Sequence, residues 1–237
     1  MSGQSYADWK SWRAEEFGTF TPLQAAYFRD EFANAGVDLS VARDVLEIGF
    51  GNGSALGWMR SLGHRVCGVE ILQESLERAR AAGTRCYDRI DLIPQDQAFD
   101  LIVAFDVFEH LSRPELEQAL AQLGARLKAG GHIVARFPNC ESPLGMAYQN
   151  GDVTHVSALG ERIMSQLAVT SGLRISGCGE PRTPLRGVGL PRMIKRAAVL
   201  AVRRLCEYAL RQIYFDGEKL RLSPNLVVVL TREPATS

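Results

Sequence analysis

The sequence has no excess of charge of either sign. Its 237 residues include 27 Lys and Arg and 27 Asp and Glu, so the formal net charge at pH 7 is zero. A strongly basic chain is typical of nucleic-acid binding, and a strongly acidic chain is typical of solvated, interacting tails. The composition offers no electrostatic reason to expect a nucleic-acid partner, and we predict none.

Cysteine is scarce and irregularly spaced. Disulfide frameworks carry an even number of closely spaced cysteines, and zinc ribbons carry them in C-x-x-C pairs. The sequence has five, none in such a pair: Cys67, Cys86, Cys140, Cys178 and Cys206. This pattern argues against both arrangements and favours reduced thiols in a cytoplasmic protein.

Long apolar runs are also lacking. A membrane-spanning helix needs about 18 or more apolar residues, and the N-terminal stretch "MSGQSYADWKSWRAEE" has no apolar signal-peptide core. Internal repeats and low-complexity tracts are missing as well. The hydrophobic content of 46% is nevertheless enough for a full core. We therefore expect one soluble domain, residues 1–237.

What the sequence does contain is an alternation of β-rich runs with helical patterns. Most of the runs are apolar throughout, as strands buried in a parallel sheet require. The alternation predicts an α/β fold, a Rossmann-like doubly wound sheet with helices on both faces. The predicted strands are residues 44–49, 65–70, 84–87, 99–105, 132–137, 173–178 and 225–231.

Two of the helices have recognisable first turns. Thr21 and Ser112 each precede a capping-box residue by three positions, with a proline in the first turn. We predict that the first of these helices ends at Gly36 and that Gly130 closes the second.

Three alternating glycines follow the first strand in "VLEIGFGNG". Gly49, Gly51 and Gly53 are predicted to let a nucleotide-like ligand approach the first βα turn. The spacing differs from the dinucleotide pattern G-x-G-x-x-G, and Glu47 would repel a pyrophosphate but attract a sulfonium or ammonium group. A nicotinamide-dependent oxidoreductase is therefore disfavoured. Glu70 ends the next strand, where we expect an accessible carboxylate that binds ribose hydroxyls.

Four segments in this order resemble the motifs of the class I S-adenosylmethionine-dependent methyltransferases: "VLEIGFGNG", "VCGVE", "FDLIVAFDVFEHL" and "LKAGGHIVARFPN". The similarity covers roughly residues 17–180. It implies a seven-stranded sheet of order 3-2-1-4-5-7-6 whose last strand, residues 225–231, runs antiparallel. It also implies S-adenosyl-L-methionine as cofactor and methyl transfer as activity. A cofactor-binding regulatory module without catalysis is the alternative.

The resemblance further implies which residues bind the cofactor. Glu47 and the glycine loop would face the methionine moiety, and Glu70 would hold the ribose. The segment after the third strand offers Asp88 or Asp91 for the adenine, and we favour Asp88. The full predicted set is Phe17, Glu47, Gly49, Gly51, Asn52, Gly53, Glu70, Ile71, Asp88, Phe105 and Asp106.

A polar trio, Asp106, Glu109 and His110, follows the fourth strand. Its D-x-x-E-H pattern resembles a divalent-metal site of ubiquinone-biosynthesis O-methyltransferases, and its oxygen and imidazole groups are suitable ligands. The same pattern resembles the strand-four motif of many metal-independent relatives. We predict that no metal is bound.

Residues 138–156 form a long stretch without periodicity after the fifth strand. Such loops are usually functional or disordered, and this one leaves the strand end that faces the reaction centre. We predict that it binds the acceptor through Asn139, Tyr148 and His155. "FPN" followed by "GDVTH" resembles methyltransferases of polysaccharide and O-antigen biosynthesis, which implies a small-molecule or glycan hydroxyl as acceptor.

A hydroxyl acceptor must lose a proton, and an imidazole with a pKa near 6.5 is suited to take it. His155, just before a helix predicted to start at Ser157, is the leading candidate for this base. His110 and Asp106 are the other catalytic candidates.

Two terminal segments complete the predictions. Residues 1–20 are expected to form a helical lid or docking segment, with an aromatic stripe of Tyr6, Trp9 and Trp12. Residues 188–216 are predicted to form an amphipathic helical insertion before the last strand. We expect its apolar face to pack on the domain or in a homodimer, with contact to an anionic membrane as the alternative. A monomer or a homodimer fits these expectations.

Overall fold

The structure is a computed structural model that describes residues 17–41, 43–185, 189–218 and 221–232. The aromatic stripe predicted for residues 5–16 lies outside these ranges. Within them, seven strands form one sheet in the order β3-β2-β1-β4-β5-β7-β6. The strands are β1 Asp44–Ile48, β2 Arg65–Val69, β3 Arg85–Tyr87, β4 Phe99–Phe105, β5 Leu127–Pro138, β6 Leu173–Gly179 and β7 Asn225–Arg232.

The sheet is parallel except at its last strand. β1 pairs in parallel with β2 and β4, β2 with β3, and β4 with β5. β7 runs antiparallel to both of its neighbours, β5 and β6. The predicted fold class, strand order and antiparallel final strand are all confirmed.

Helices and short 3₁₀ turns connect the strands. The 3₁₀ helices are Ile90–Leu92 and Phe108–His110. Over the ranges given above, the α-helices are α1 Pro22–Asn34, α2 Ser54–Ser61, α3 Gln73–Ala81, α4 Arg113–Ala125, α5 Met146–Gln149, α6 Glu161–Thr170 and α7 Leu190–Tyr214.

The predicted capping boxes are present at the starts of α1 and α4. The prediction for the end of α4 was wrong, because α4 ends at Ala125 and Gly130 lies inside β5 with φ of 72°. Leu127, which is 1% exposed, already pairs with Phe99 at the start of β5. The pairing register then shifts before His132, so the glycine serves an irregular strand rather than a helix end.

Apolar side chains fill both faces of the sheet. Neighbouring residues in a strand point to opposite faces, and in β1 this sends Val45 and Leu46 into different clusters. One cluster includes Phe32 of α1 and Trp58 of α2, and the other includes Leu120 of α4. Helices therefore cover the sheet on both sides, as a doubly wound fold requires.

The carboxyl ends of the parallel strands meet at one edge, which we call the carboxyl edge. The loops that leave β1, β4 and β5 there are residues 49–53, 106–112 and 139–160. Ligands bind at this edge in doubly wound sheets. The glycine loop, the polar trio and the predicted acceptor loop therefore share one edge.

α7 departs from its predicted packing. None of its 25 residues is buried, so the expectation that its apolar face packs on the domain was wrong. Across residues 17–232, as far as the structure describes them, we find no helix with the length and apolar character of a bilayer span.

Candidate functional site

The glycine loop has a backbone that only glycine adopts readily. Gly49, Gly51 and Gly53 have φ of 65°, 53° and 72°. A Cβ on Gly49 would lie 2.5 Å from a methyl carbon of Val107, and one on Gly53 would lie 2.6 Å from the Phe17 ring. Backbone conformation and close packing therefore both require glycine, and the loop delivers the chain to the N-terminus of α2.

Glu70 ties the end of β2 to this loop. Its Oε2 accepts a hydrogen bond from Gly51 N at 2.9 Å, and its Oε1 accepts from Ile71 N and Leu72 N at 2.8 and 3.0 Å. These contacts leave Glu70 only 6% exposed, so the expectation of an accessible carboxylate was wrong. A carboxylate oxygen has two lone-pair directions, so Glu70 retains some accepting capacity for a ligand.

Glu47 has a buried carboxyl group that is only partly hydrogen-bonded. Burial raises its pKa to about 8, a hydrogen bond from Leu56 N opposes the rise, and the charge of Glu70 adds to it. Its Oε2 has no hydrogen-bond partner among the described residues. Burying an unpaired charge is costly, and a nearby cation relieves that cost. The site is therefore suited to a ligand that carries positive charge.

Phe17 and Ile71 border the loop on two sides. The Phe17 ring meets Phe50 edge-on with centroids 5.9 Å apart, and Gly18 N donates to Asn52 O at 2.8 Å. Ile71, next to Glu70, is 83% exposed and offers an apolar surface.

Asp106 is held by an arginine. The Arg136 guanidinium contacts both carboxylate oxygens of Asp106, with Nε 2.9 Å from Oδ1, and donates through Nη1 to Tyr27 Oη at 3.0 Å. Asp106 itself has φ of 58°. Because both oxygens accept from one guanidinium, Asp106 links β4 and β5 to α1 and is poorly placed to act as a base.

Phe105 belongs to the same assembly. Its ring stacks on Phe32 with centroids 6.0 Å apart, and the Arg136 guanidinium lies 5.0 Å from its centroid. The ring thus packs against α1 while staying half-buried, and its predicted contact with the cofactor stays a prediction.

The acceptor loop is fastened to the 3₁₀ helix Phe108–His110. Val156 N and Ser157 N both donate to Glu109 O, at 2.9 and 3.0 Å. The rings of His110 and His155 meet edge-to-face with centroids 4.7 Å apart. The structure therefore brings together two histidines that are separated in the sequence.

Two carboxylates face His155. Its Nε2 lies 4.0 Å from Glu109 Oε1 and 3.9 Å from Asp152 Oδ2. Its Nδ1 lies 3.1 Å from Gln149 O, and a carbonyl only accepts, so Nδ1 carries a hydrogen. Nε2 is then the ring nitrogen that can take up a proton.

The helix predicted to start at Ser157 begins instead at Glu161, with Gly160 as its N-cap. The backbone amide of Ser157 is bonded to Glu109 O, and its hydroxyl donates to Leu111 O at 2.6 Å. These contacts hold the chain in a loop for several residues beyond the predicted start.

The same cluster offers a set of metal ligands. One ligand atom from each of Glu109, His110 and His155 lies within 4.8 Å of the others. A carboxylate and two imidazoles suit a divalent transition metal. That the protein works without a metal stays a prediction.

A comparison with protein families assigns the chain. A family model described as a methyltransferase domain matches residues 17–175, more than half of the sequence. The chain is a class I S-adenosylmethionine-dependent methyltransferase. Its cofactor is S-adenosyl-L-methionine, as predicted. No curated protein sequence matches it.

Solved structures share the fold of this methyltransferase. An S-adenosylmethionine-dependent methyltransferase of Archaeoglobus fulgidus is 16% identical, with a TM-score of 0.63, covering 97% of this chain and 99% of that one. A putative methyltransferase in complex with the Haloferax volcanii activator Trm112 is 15% identical, with a TM-score of 0.64 and full coverage of both chains. A Burkholderia thailandensis 1,6-didemethyltoxoflavin N1-methyltransferase with bound S-adenosylhomocysteine is 14% identical, with a TM-score of 0.57, covering 99% and 92%.

The residues of the methyltransferase fit this cofactor. The unpaired Glu47 oxygen suits its positively charged methionine end, and the exposed Ile71 side chain beside Glu70 suits a flat apolar ring. Asp88 is exposed directly after β3, whereas Asp91 forms an ion pair with Arg89 at 3.1 Å. The arrangement is compatible with the predicted roles of Glu47, Glu70, Ile71 and Asp88, which remain proposals.

Asn139 lies in the wrong place for its predicted role. Its side chain is 0% exposed and donates through Nδ2 to Arg221 O and Ser223 O at 2.8 and 3.0 Å. Its Oδ1 accepts from Glu141 N at 3.1 Å. Because the whole amide is used by the fold, the prediction that Asn139 binds the acceptor was wrong. Tyr148, at 56% exposed, is open to solvent.

Sequence reasoning missed Asp152 and Arg136. Asp152 faces His155 and accepts from Thr154 N at 2.9 Å and Thr154 Oγ1 at 2.6 Å. Its position in "GDVTH" was a usable signal, because an Asp that bonds the amide two residues on marks a turn. Arg136 gave no such signal, since its partners come from other elements.

Proposed function

We propose that this methyltransferase methylates a hydroxyl oxygen of a small molecule or glycan by direct transfer, with His155 as the base. When bound, the cofactor supplies a methyl group on a positively charged sulfonium sulfur. A hydroxyl must lose its proton as its oxygen is methylated, so a positioned base accelerates the reaction. The single observation that carries the proposal is the His155 imidazole with its flanking carboxylates.

The hydrogen bonds of His155 support this role. With Nδ1–H donating to Gln149 O, the lone pair lies on Nε2. A proton taken up there makes an imidazolium that the carboxylates of Glu109 and Asp152 stabilise at about 4 Å. The backbone bonds from Val156 and Ser157 to Glu109 hold the ring at the carboxyl edge.

The surface of the acceptor loop supports an organic acceptor. Large apolar side chains are exposed along this loop, which leaves β5 at the carboxyl edge. Binding sites for small molecules combine such apolar surface with a few placed polar groups. The exposed side chains are Leu144, Met146, Tyr148, Val153 and Val156.

The choice of oxygen and of a glycan rests on the loop sequence. The segments "FPN" and "GDVTH" resemble methyltransferases encoded with polysaccharide and O-antigen biosynthesis enzymes, and this resemblance implies a sugar hydroxyl as the acceptor. The fold alone does not choose the atom, because the Burkholderia neighbour is an N1-methyltransferase. We therefore place the acceptor among sugars first and phenolic quinone precursors second.

Methyl transfer from labelled cofactor to a panel of activated sugars and quinone precursors tests the acceptor class. We expect a product methylated on oxygen. Transfer only to nitrogen or carbon acceptors contradicts the proposal. Tight cofactor binding without transfer to any acceptor favours the regulatory module instead.

His155→Ala tests the base. We expect unchanged cofactor affinity and a turnover lower by about 10² to 10⁴-fold. The residual rate should rise with pH, because the acceptor then ionises without help. Near-normal turnover at saturating acceptor would end this assignment.

Ser157→Ala is the matched control, since it removes the loop bond to Leu111 O and no titrating group. We expect an effect on acceptor KM and thermal stability with little change in kcat. If both variants lose turnover equally, loop order rather than proton transfer explains the role of His155.

A further inference from the structure

α7 turns its apolar face away from the domain. Residues at spacings of three and four, from Ile194 through Ala201 to Tyr208, form one stripe along this helix. Leu205, in the middle of the stripe, is 67% exposed. Other large apolar side chains of α7 that are at least half exposed are Leu190, Ile194, Val202, Tyr208, Ile213 and Tyr214.

The side of α7 that meets the domain is polar instead. Arg196 Nη1 donates to Pro184 O at 2.5 Å. Glu207 Oε1 accepts from Leu222 N at 3.1 Å and from Arg211 Nη2 at 2.9 Å. The bonds to Pro184 and Leu222 therefore seat the helix on its flanking segments, the pair with Arg211 lies within the helix, and the apolar stripe is left for another surface.

α7 also concentrates positive charge. It contains six basic residues and one acidic residue, a formal net charge of +5, while the whole chain has a net charge of zero. Four of the basic side chains line a cavity of about 340 Å³ between α7 and Thr183: Arg192, Lys195, Arg196 and Arg203. This cavity lies on the face of α7 opposite the apolar stripe, whereas Arg204, three residues after Ala201 and four before Tyr208, borders the stripe. With its net charge of +5, α7 fits a surface that is both apolar and anionic.

Both flanks of α7 are fastened near the carboxyl edge. Before it, Arg182 N donates to Glu31 Oε2 of α1 at 2.7 Å. After it, Leu222 O accepts from Ser142 Oγ of the acceptor loop at 2.9 Å. Whatever covers α7 is therefore held beside the acceptor loop.

We propose that α7 docks the methyltransferase on an anionic lipid bilayer, lying in the plane of its surface with the apolar stripe inserted. A basic amphipathic helix binds such a surface through buried apolar area and attraction to anionic headgroups. Its 25 residues give a contact about 37 Å long. A second copy of the chain fits less well, because two helices of net charge +5 would repel each other.

Co-sedimentation with vesicles tests the docking. The full chain should bind vesicles of phosphatidylcholine with phosphatidylglycerol and should not bind phosphatidylcholine alone. Leu205→Glu places a charge in the stripe and should lower partitioning at least tenfold. Val169→Glu is the matched control, since Val169 of α6 is 62% exposed and outside α7; it should bind like the parent.

Two variants that each remove one positive charge test the electrostatic contribution to vesicle binding. Lys195→Gln and Arg204→Gln should each lower partitioning about fivefold, since a basic residue near the surface contributes about 1 kcal/mol. Leu205→Trp gives a second measurement: its added indole emission should shift to shorter wavelength with anionic vesicles only. Melting curves confirm that each variant is folded.

Two outcomes overturn the proposal. One is failure of the folded parent chain to bind anionic vesicles, or equal binding to neutral ones. The other is that the chain does not bind vesicles and instead forms a dimer that Leu205→Glu dissociates. That result would show that a second copy covers the stripe.

Discussion

The two regions at the carboxyl edge of the sheet are built in opposite ways. Around the glycine loop, Glu70 is buried and satisfied by backbone amides. Along the acceptor loop and α7, large apolar side chains such as Tyr148 and Leu205 are exposed. The first region is preformed for a ligand, whereas the second presents surface that a partner must cover. The glycine-loop motif of the family is in the first region, and the features that we propose select the acceptor are in the second.

The largest expected effect concerns Glu47. Its pKa of about 8 lies above the ordinary value of 4.5, so between these values the folded protein keeps a proton that the unfolded chain has lost. The stabilisation that the folded protein gains from keeping Glu47 protonated is therefore fully present below pH 4.5 and is lost as pH rises through 8. Glu47→Gln should raise the free energy of unfolding at pH 9 by on the order of 4 kcal/mol, measured by urea denaturation.

The same substitution should weaken cofactor binding about tenfold, because Gln cannot ionise as the buried carboxyl would beside the cationic end of the cofactor that we propose it meets. Glu31→Gln is the control: Glu31 is a second buried glutamate with a pKa raised by burial, and it bonds Arg182 rather than the glycine loop. It should leave cofactor affinity unchanged. Equal affinity in both variants would remove Glu47 from the cofactor site.

Two variants compare a buried side chain of the acceptor loop with an exposed one. Asn139→Ala removes a buried amide that bonds three backbone groups, and we expect a loss of about 2 to 4 kcal/mol in the free energy of unfolding. Tyr148→Ala, at an exposed position, should cost less than about 0.5 kcal/mol and should raise acceptor KM. A stable Asn139→Ala protein with raised KM would return Asn139 to the acceptor site.

A smaller effect is expected at Glu70. Glu70→Ala leaves three backbone amides without their acceptor and should cost about 1 to 3 kcal/mol of stability, more than an accessible carboxylate would. It should also reduce the stabilisation by S-adenosylhomocysteine, which in the parent is about 2.7 kcal/mol at 100 times its dissociation constant and is measured as a shift in melting temperature. NADH should shift neither protein. An unchanged S-adenosylhomocysteine shift in the variant would contradict ribose binding by Glu70.

The smallest expected effect is that of a chelator. If Glu109, His110 and His155 work as hydrogen-bonding and proton-transfer groups, EDTA should leave both turnover and melting temperature unchanged. Loss of turnover with EDTA and recovery with added magnesium or manganese would assign the cluster to a metal.

The fold could be predicted because its signals are local. Apolar runs, the capping boxes at Thr21 and Ser112, and the glycine spacing each lie within a few residues of one another. The strand order came from the family resemblance rather than from the runs themselves. Local signals failed at Gly130, because a helix end and an irregular strand can both require a residue with positive φ.

The candidate site was less predictable because its contacts join distant segments. Asn139 bonds a carbonyl 82 residues away, and Arg136 reaches Tyr27 across 109 residues. Neither contact can be predicted from the sequence, because the partners are too far apart along the chain. The outward stripe of α7 was missed for a related reason, since periodicity defines two faces and does not say which one the domain covers.

The inner position of β7 determines when the sheet can be completed during synthesis. β7 pairs with both β5 and β6, although among the seven strands of this sheet it is the last to leave the ribosome. Until residues 225–232 emerge, β5 is an open strand edge and β6 lacks its partner in the sheet. A nascent chain at that stage exposes this edge together with the apolar stripe of α7, a combination prone to aggregation. The eight residues of the final strand thus form two of the six strand pairings of the sheet.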